Sequence, residues 1–233
     1  MVGFCTTFGG VLAVLRRSRR NREVWDRAVA GFNDLVNQLT DDDWAKPTPC
    51  TDWDIRRLVG HVACTLRMPV ALAQGTPLGV PAGPDASPVT TPQGDDLFFN
   101  AGFFATVQQV VEAMGSDPQG AWASAYASQS VALDNLDLDA PALGTQFGVL
   151  TVDEWLGMCF WDPVVHTWDL GQAAGIPGVP ADDLCATALE LLTQVEITAN
   201  MRLPFVFAEA LKPASDTPKD RLIALVGRSA TWG

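Results

Sequence analysis

His61 and His166 are the only two histidines of the chain, and each lies in the middle of an apolar stretch with helical spacing. A histidine buried without a partner pays a desolvation cost, so such a residue is hydrogen-bonded or metal-bound. Asp162 stands four residues before His166, in WDPVVHTWDL. On a helix, positions i and i+4 share a face one turn apart. A carboxylate and an imidazole at this spacing can close on one ion, much as paired histidines do in other helical metal sites. His61, from a different helix, would supply a third ligand. From residue types alone two readings stand: a metal site, or satisfied core histidines beside an ordinary polar pair.

Asp169 lies three residues after His166 and seven after Asp162, on the same helical face. There it can accept the ring N–H of a ligand histidine and fix its tautomer, or make a hydrogen bond to a Trp or backbone group inside the bundle. Cys64 is one turn past His61, so its thiol could also reach the site. The five cysteines are odd in number and show no CxxC spacing. Neither a disulfide framework nor a cysteine zinc site is indicated, and buried small residues in a reducing, cytoplasmic compartment are expected. Trp53, Trp161 and Trp168 read as core or rim packing.

The elements that must position these residues are helical. Val24, Ala28, Phe32, Leu35 and Leu39 predict a first helix over about 22–39. PTPCTDW interrupts it, and Thr51 with Asp54 predicts a capping box and a second helix over about 52–73. A Pro- and Gly-rich crossover over 74–96 leads to a third helix over about 95–115. Short extended pieces are expected near 130–138 and 146–150. Thr151 with Glu154 predicts a second capping box and a fourth helix over about 152–174. Pro163 should kink that helix by removing the N–H that would bond to the Cys159 carbonyl. A fifth helix over about 181–200 and a short one from Thr217 to Gly227 complete the chain. The pattern predicts an all-α fold, a four-helix bundle over 22–175 with a short C-terminal helical extension over 176–233.

The 233 residues suffice for one large domain, and 48% hydrophobic residues can fill its core. A net charge of -12, with basic residues concentrated only before residue 28, argues against a nucleic-acid partner. Residues 1–15 are largely apolar and are followed by an arginine cluster. A secretory signal has the reverse order, and the stretch is shorter than the roughly 20 residues that span a bilayer. Residues 1–21 are therefore expected to be a loosely held extension, with no membrane partner. The sequence leaves a homodimer open.

PTPCTDWDIRRLVGHV and, about a hundred residues later, DPVVHTWDLGQAAG resemble the DinB-like superfamily, in its branch related to mycothiol-dependent maleylpyruvate isomerases. KDRLIALVGR is similar to the tail of the same branch. The resemblance implies a four-helix bundle and three metal ligands, His61, Asp162 and His166, where the isomerases usually show Glu at the place of Asp162. Three protein ligands leave a position open, the pattern of catalytic rather than structural zinc. In that branch the position takes the sulfur of mycothiol or another low-molecular-weight thiol. The implied activity is a thiol-dependent transferase or isomerase, in which a divalent ion activates a thiolate toward a small electrophile. Zinc is the expected metal, with nickel, iron and manganese open. Maleylpyruvate itself is not the expected substrate, because the isomerases carry a sizeable C-terminal domain in place of the short extension. The alternative is a metal-binding or sensing module without catalysis, favoured if a fourth protein ligand such as Cys64 closes the site. Arg202, Arg221 and Arg228 could hold an anionic substrate, with solvated or capping roles as the plainer reading. A ferritin-like di-iron carboxylate protein is poorly supported, because the paired ExxH motifs of that chemistry are lacking.

Overall fold

The computed structural model describes residues 21–74, 101–142, 150–176, 180–195, 202 and 207–232, with backbone only over 101–105. The expected N-terminal extension and nearly all of the 74–96 crossover lie outside these residues. The described chain forms α1 (Asn21–Val36), α2 (Ile55–Gln74), α3 (Ala101–Ala113), α4 (Pro118–Asp134), β1 (Pro141–Ala142), β2 (Leu150–Thr151), α5 (Val152–Cys159), α6 (Trp161–Ala174), α7 (Asp182–Gln194) and α8 (Pro218–Leu225). Among the described residues the fold is all-α apart from a two-residue antiparallel ladder that pairs Pro141 with Thr151 and an isolated bridge between Pro47 and Asp54. Among the described residues no helix is long and apolar enough to cross a membrane.

Apolar residues at helical spacing decide how α1 packs. Trp25, Ala28, Val29, Phe32, Leu35 and Val36 are buried on one face, which lies against α5 and α6. Phe32 also meets Trp122 of α4 edge-on, with ring centroids 5.1 Å apart. Such a pair adds roughly 0.5–1.5 kcal/mol beyond its buried area. The Trp122 indole is satisfied by donating to Asn33 Oδ1 at 3.1 Å.

Helix α2 is central, packed on α3, α4 and α6. Gly60 permits the approach of α3, because a Cβ there would sit 2.7 Å from Val111 Cγ2. Its start differs from the sequence reading. Asp54, not Thr51, is the cap, accepting the Arg57 N–H at 2.8 Å. Thr51 instead belongs to a tight turn in which Asp52 has φ 65° and Trp53 N–H donates to the Cys50 carbonyl. That turn sets Cys50 and Trp53 side by side at the entrance to α2.

The expected fourth helix is two helices. The predicted capping box is present, with Thr151 Oγ1 accepting from Glu154 N–H and Glu154 returning the bond to Thr151 N–H. Helix α5 then ends at Cys159, and α6 starts at Trp161. Pro163 falls in the first turn of α6, where its missing N–H costs little, so the discontinuity precedes the proline instead of centring on it. Asp162 occupies the same first turn, where the helix dipole favours a carboxylate. Helix α4 overturns the extended piece expected near 130–138, since the chain is helical through Asp134.

The C-terminal segment docks on this frame. Phe207 lies 5.0 Å from Trp161, centroid to centroid, and α7 packs against both α6 and α8. Thr217 caps α8 through Asp220 N–H. Gly227, at φ 81°, ends it: its N–H donates to the Ala224 carbonyl, and the Arg228 N–H donates to the Ile223 carbonyl. This double closure is a left-handed helix stop that favours glycine, and a Cβ at 227 would also collide with the Ala208 backbone.

Candidate functional site

Helix α2 carries His61 and α6 carries Asp162, His166 and Asp169. The first three converge. His61 Nε2 lies 3.0 Å from Asp162 Oδ1, and His166 Nε2 lies 3.4 Å from the same oxygen. One ligand atom from each residue falls within 4.8 Å of the others. The two imidazoles stand nearly perpendicular with centroids 4.8 Å apart. Trp53 closes the group at 5.1 Å from the His61 ring and 6.2 Å from the His166 ring, and the Arg57 guanidinium sits over its indole. None of the trio is more than 9% exposed. Asp162 Oδ2 is buried and has no hydrogen-bond partner among the described residues.

The far side of His166 is wired differently. Asp169, fully buried, accepts the His166 Nδ1–H on Oδ2 at 2.9 Å. The Cys50 thiol donates to the same oxygen at 3.3 Å. Arg228 donates from Nε to Oδ1 at 3.4 Å, and from Nη2 to Oδ2 at 3.3 Å and to Cys50 Sγ at 3.1 Å. With Nδ1 engaged by Asp169, only Nε2 of His166 faces His61 and Asp162.

Burial pushes the His61 pKa down, more than the neighbouring Asp162 raises it. Burial opposes ionisation of Asp162 as well, but the two imidazoles outweigh it and hold the carboxyl well below its usual range. For His166, burial lowers the pKa, and Asp162, Asp169 and Cys50 together raise it well above its ordinary value. Of the two imidazoles, burial therefore disfavours the charged form of His61, while the carboxylates on either side favour it in His166.

A second group, Cys50, His166 and Asp169, also brings ligand atoms together. The Arg228 guanidinium already sits on two of its members, so a cation there would meet a like charge. Cys64 does not join either group. It is buried, and burial pushes its thiol up to about 12 despite the charge of Arg67. The cysteine beside the histidines is Cys50, for which the only sequence signal was its place in PTPCTDW. Arg228 is not solvated, since its side chain is only 11% exposed; besides the cluster it donates from Nη1 to the carbonyl of Val226, the C-terminal cap of α8. Arg202 donates to the Ala208 and Leu225 carbonyls and holds the C-terminal segment to itself.

A His–Asp–His cluster buried between two helices of an all-α fold defines the class. The chain belongs to the mycothiol maleylpyruvate isomerase N-terminal domain family, whose model matches residues 25–171. The family resemblance carried by PTPCTDW and HTWDL therefore holds. Among solved structures, the crystal structure of the mycothiol-dependent maleylpyruvate isomerase and that of a histidine-to-alanine mutant of it share the fold. Each is 16% identical with a TM-score of 0.52, over 78% of this chain and 70% of the neighbour. No curated protein matches the chain.

Proposed function

We propose that the chain is a thiol-dependent transferase or isomerase in which His61, Asp162 and His166 hold one divalent metal ion, with zinc expected. The convergence of the three donors carries this reading. Around an ion with bonds of about 2.0–2.1 Å, tetrahedral ligand atoms lie roughly 3.3 Å apart. The 3.0 and 3.4 Å separations match that spacing. The buried Asp162 Oδ2, unsatisfied among the described residues, is a further acceptor that a cation would satisfy. A divalent ion at this place would supply the Lewis acidity that keeps a thiol as thiolate at neutral pH.

The residues of the chain do the rest. His61 and His166 each present Nε2, and Asp169 keeps the His166 proton on Nδ1. Trp53 covers the two imidazoles and limits water. Three protein ligands leave room for a small thiol, for which mycothiol is the candidate named by the family, and for a small electrophile. A fourth protein ligand would favour a metal-binding module without catalysis, and Cys64 is in neither group of converging ligand atoms. The test is metal analysis of untagged protein, followed by titration with mycothiol and assay of electrophile conjugation. Stoichiometric metal with saturable thiol binding is expected. Loaded protein that neither binds mycothiol nor conjugates any electrophile in its presence would sink the proposal.

A further inference from the structure

Arg228 lies 62 residues after His166 in sequence and on a different element, yet its side chain is anchored in the cluster behind that histidine. We infer that Arg228 is a positioning residue: through Asp169 it fixes the orientation and tautomer of His166, so that the site is complete only when the C-terminal turn after α8 is docked. The inference rests on the metal reading above, but its structural core is independent of the ion.

Three observations carry it. Asp169 is fully buried, and an isolated carboxylate in that position is costly. Two guanidinium contacts, one to each oxygen, compensate it, and Oδ2 also accepts from His166 Nδ1 at 2.9 Å. Second, Arg228 Nη2 also donates to Cys50 Sγ, so one planar head ties the turn before α2, helix α6 and the turn after α8 together. A Lys ammonium lacks that fork geometry. Third, the backbone is shaped for this reach. Gly227 takes the left-handed conformation, and the 223–228 closure turns the chain so that residue 228 faces α6. Partners of metal-binding histidines commonly shift metal affinity about 10–100-fold, and Arg228 would act one step further out.

The chain has two histidines, so ring nitrogen signals report each with little overlap. The experiment compares wild type, Arg228→Met, Arg228→Lys and Arg202→Met by zinc affinity, from competition with a chromophoric chelator, and by long-range ¹H–¹⁵N NMR of the histidine rings. Arg202→Met is the control, because Arg202 holds the Ala208 and Leu225 carbonyls without touching Asp169. Arg228→Met is expected to weaken zinc binding about tenfold and to displace the His166 Nδ1–H signal, with His61 unchanged. Arg228→Lys should restore only part of both. Arg202→Met should lower the melting temperature and leave zinc affinity and His166 in place.

A folded Arg228→Met protein with wild-type zinc affinity and an unmoved His166 signal would overturn the inference. So would equal loosening of zinc by Arg202→Met, which would assign the effect to docking alone. If the wild type takes up no zinc, the metal reading falls. The His166 signal, compared between metal-free wild type and Arg228→Met, then decides on Arg228 by itself.

Discussion

The two sides of His166 are built on opposite principles. On the Nε2 side, His61 and Asp162 face it with a buried carboxylate oxygen left over. On the Nδ1 side, Asp169, Cys50 and Arg228 form a network that places donors against acceptors throughout. A polar core needs satisfied groups to be stable, and an unsatisfied buried oxygen is costly. On the proposed metal reading, the open side would take the ion and the closed side would hold the histidine for it. The difference also separates the two candidate ligand groups, which share His166 and cannot both use it freely.

The largest effect should come from breaking the open side. His166→Ala and His61→Ala are each expected to abolish the metal content of protein purified without a tag, read by elemental analysis. Metal-free wild type, or variants that retain as much metal as wild type, would break the comparison outright. Asp162→Asn should lose most of the affinity, since it removes the anion, whereas Asp162→Glu should retain the ion.

The closed side should yield a smaller loss of metal and a larger loss of stability. Asp169→Asn is expected to weaken zinc binding about 10–100-fold. It leaves the guanidinium of Arg228, with its side chain 11% exposed, without its carboxylate. Removing one partner of a buried pair typically costs roughly 3–5 kcal/mol, so the denaturation midpoint should fall clearly. Unchanged zinc affinity together with a lower midpoint would make the closed side structural only.

Protonation offers the next test. The folded pKa of His166 is raised above its ordinary 6.5. Its contribution to the stability of the metal-free protein is then fully present below 6.5 and is lost as pH rises through the raised value. Metal binding needs the neutral ring, so uptake near neutral pH should expel about one proton. Calorimetry in buffers of different ionisation enthalpy measures this, and uptake with no proton release would contradict the assignment of the proton to His166.

Much of this arrangement was legible where the chemistry is local. The Thr151–Glu154 box, the Thr217 cap and the stop at Gly227 are written in neighbouring residues, and all three are present. The i, i+4 relation of Asp162 and His166 brings them together as helical geometry requires. Helix α4 was not legible. Its buried residues are few, Pro118, Trp122, Ala125 and Leu133, so periodicity is weak, and its packing comes from Trp122 meeting Phe32 far away in the chain. Its start was readable in principle, because Asp117 caps Gly120 N–H and Pro118 follows it. The cap of α2 was misplaced because Asp52 takes a left-handed conformation that moves Thr51 off the helix. Cys50 and Arg228 meet over a separation of 178 residues, which no local pattern encodes.

The smallest effect separates the two ligand groups most directly, and it concerns the cysteines. Cys50 is only half-buried, while Cys64, Cys159 and Cys185 are buried. Burial raises all three buried thiols, Cys64 to about 12, Cys185 to about 11 and Cys159 well above its ordinary value. Since the thiolate is the reactive form, limited alkylation of native protein at neutral pH should mark Cys50 before those three, as mapped by mass spectrometry. Zinc should leave that rate unchanged, because Cys50 lies behind His166 and not on the side of His61 and Asp162. Protection of Cys50 by zinc would move the ion to Cys50, His166 and Asp169 and reverse which side of His166 is the open one.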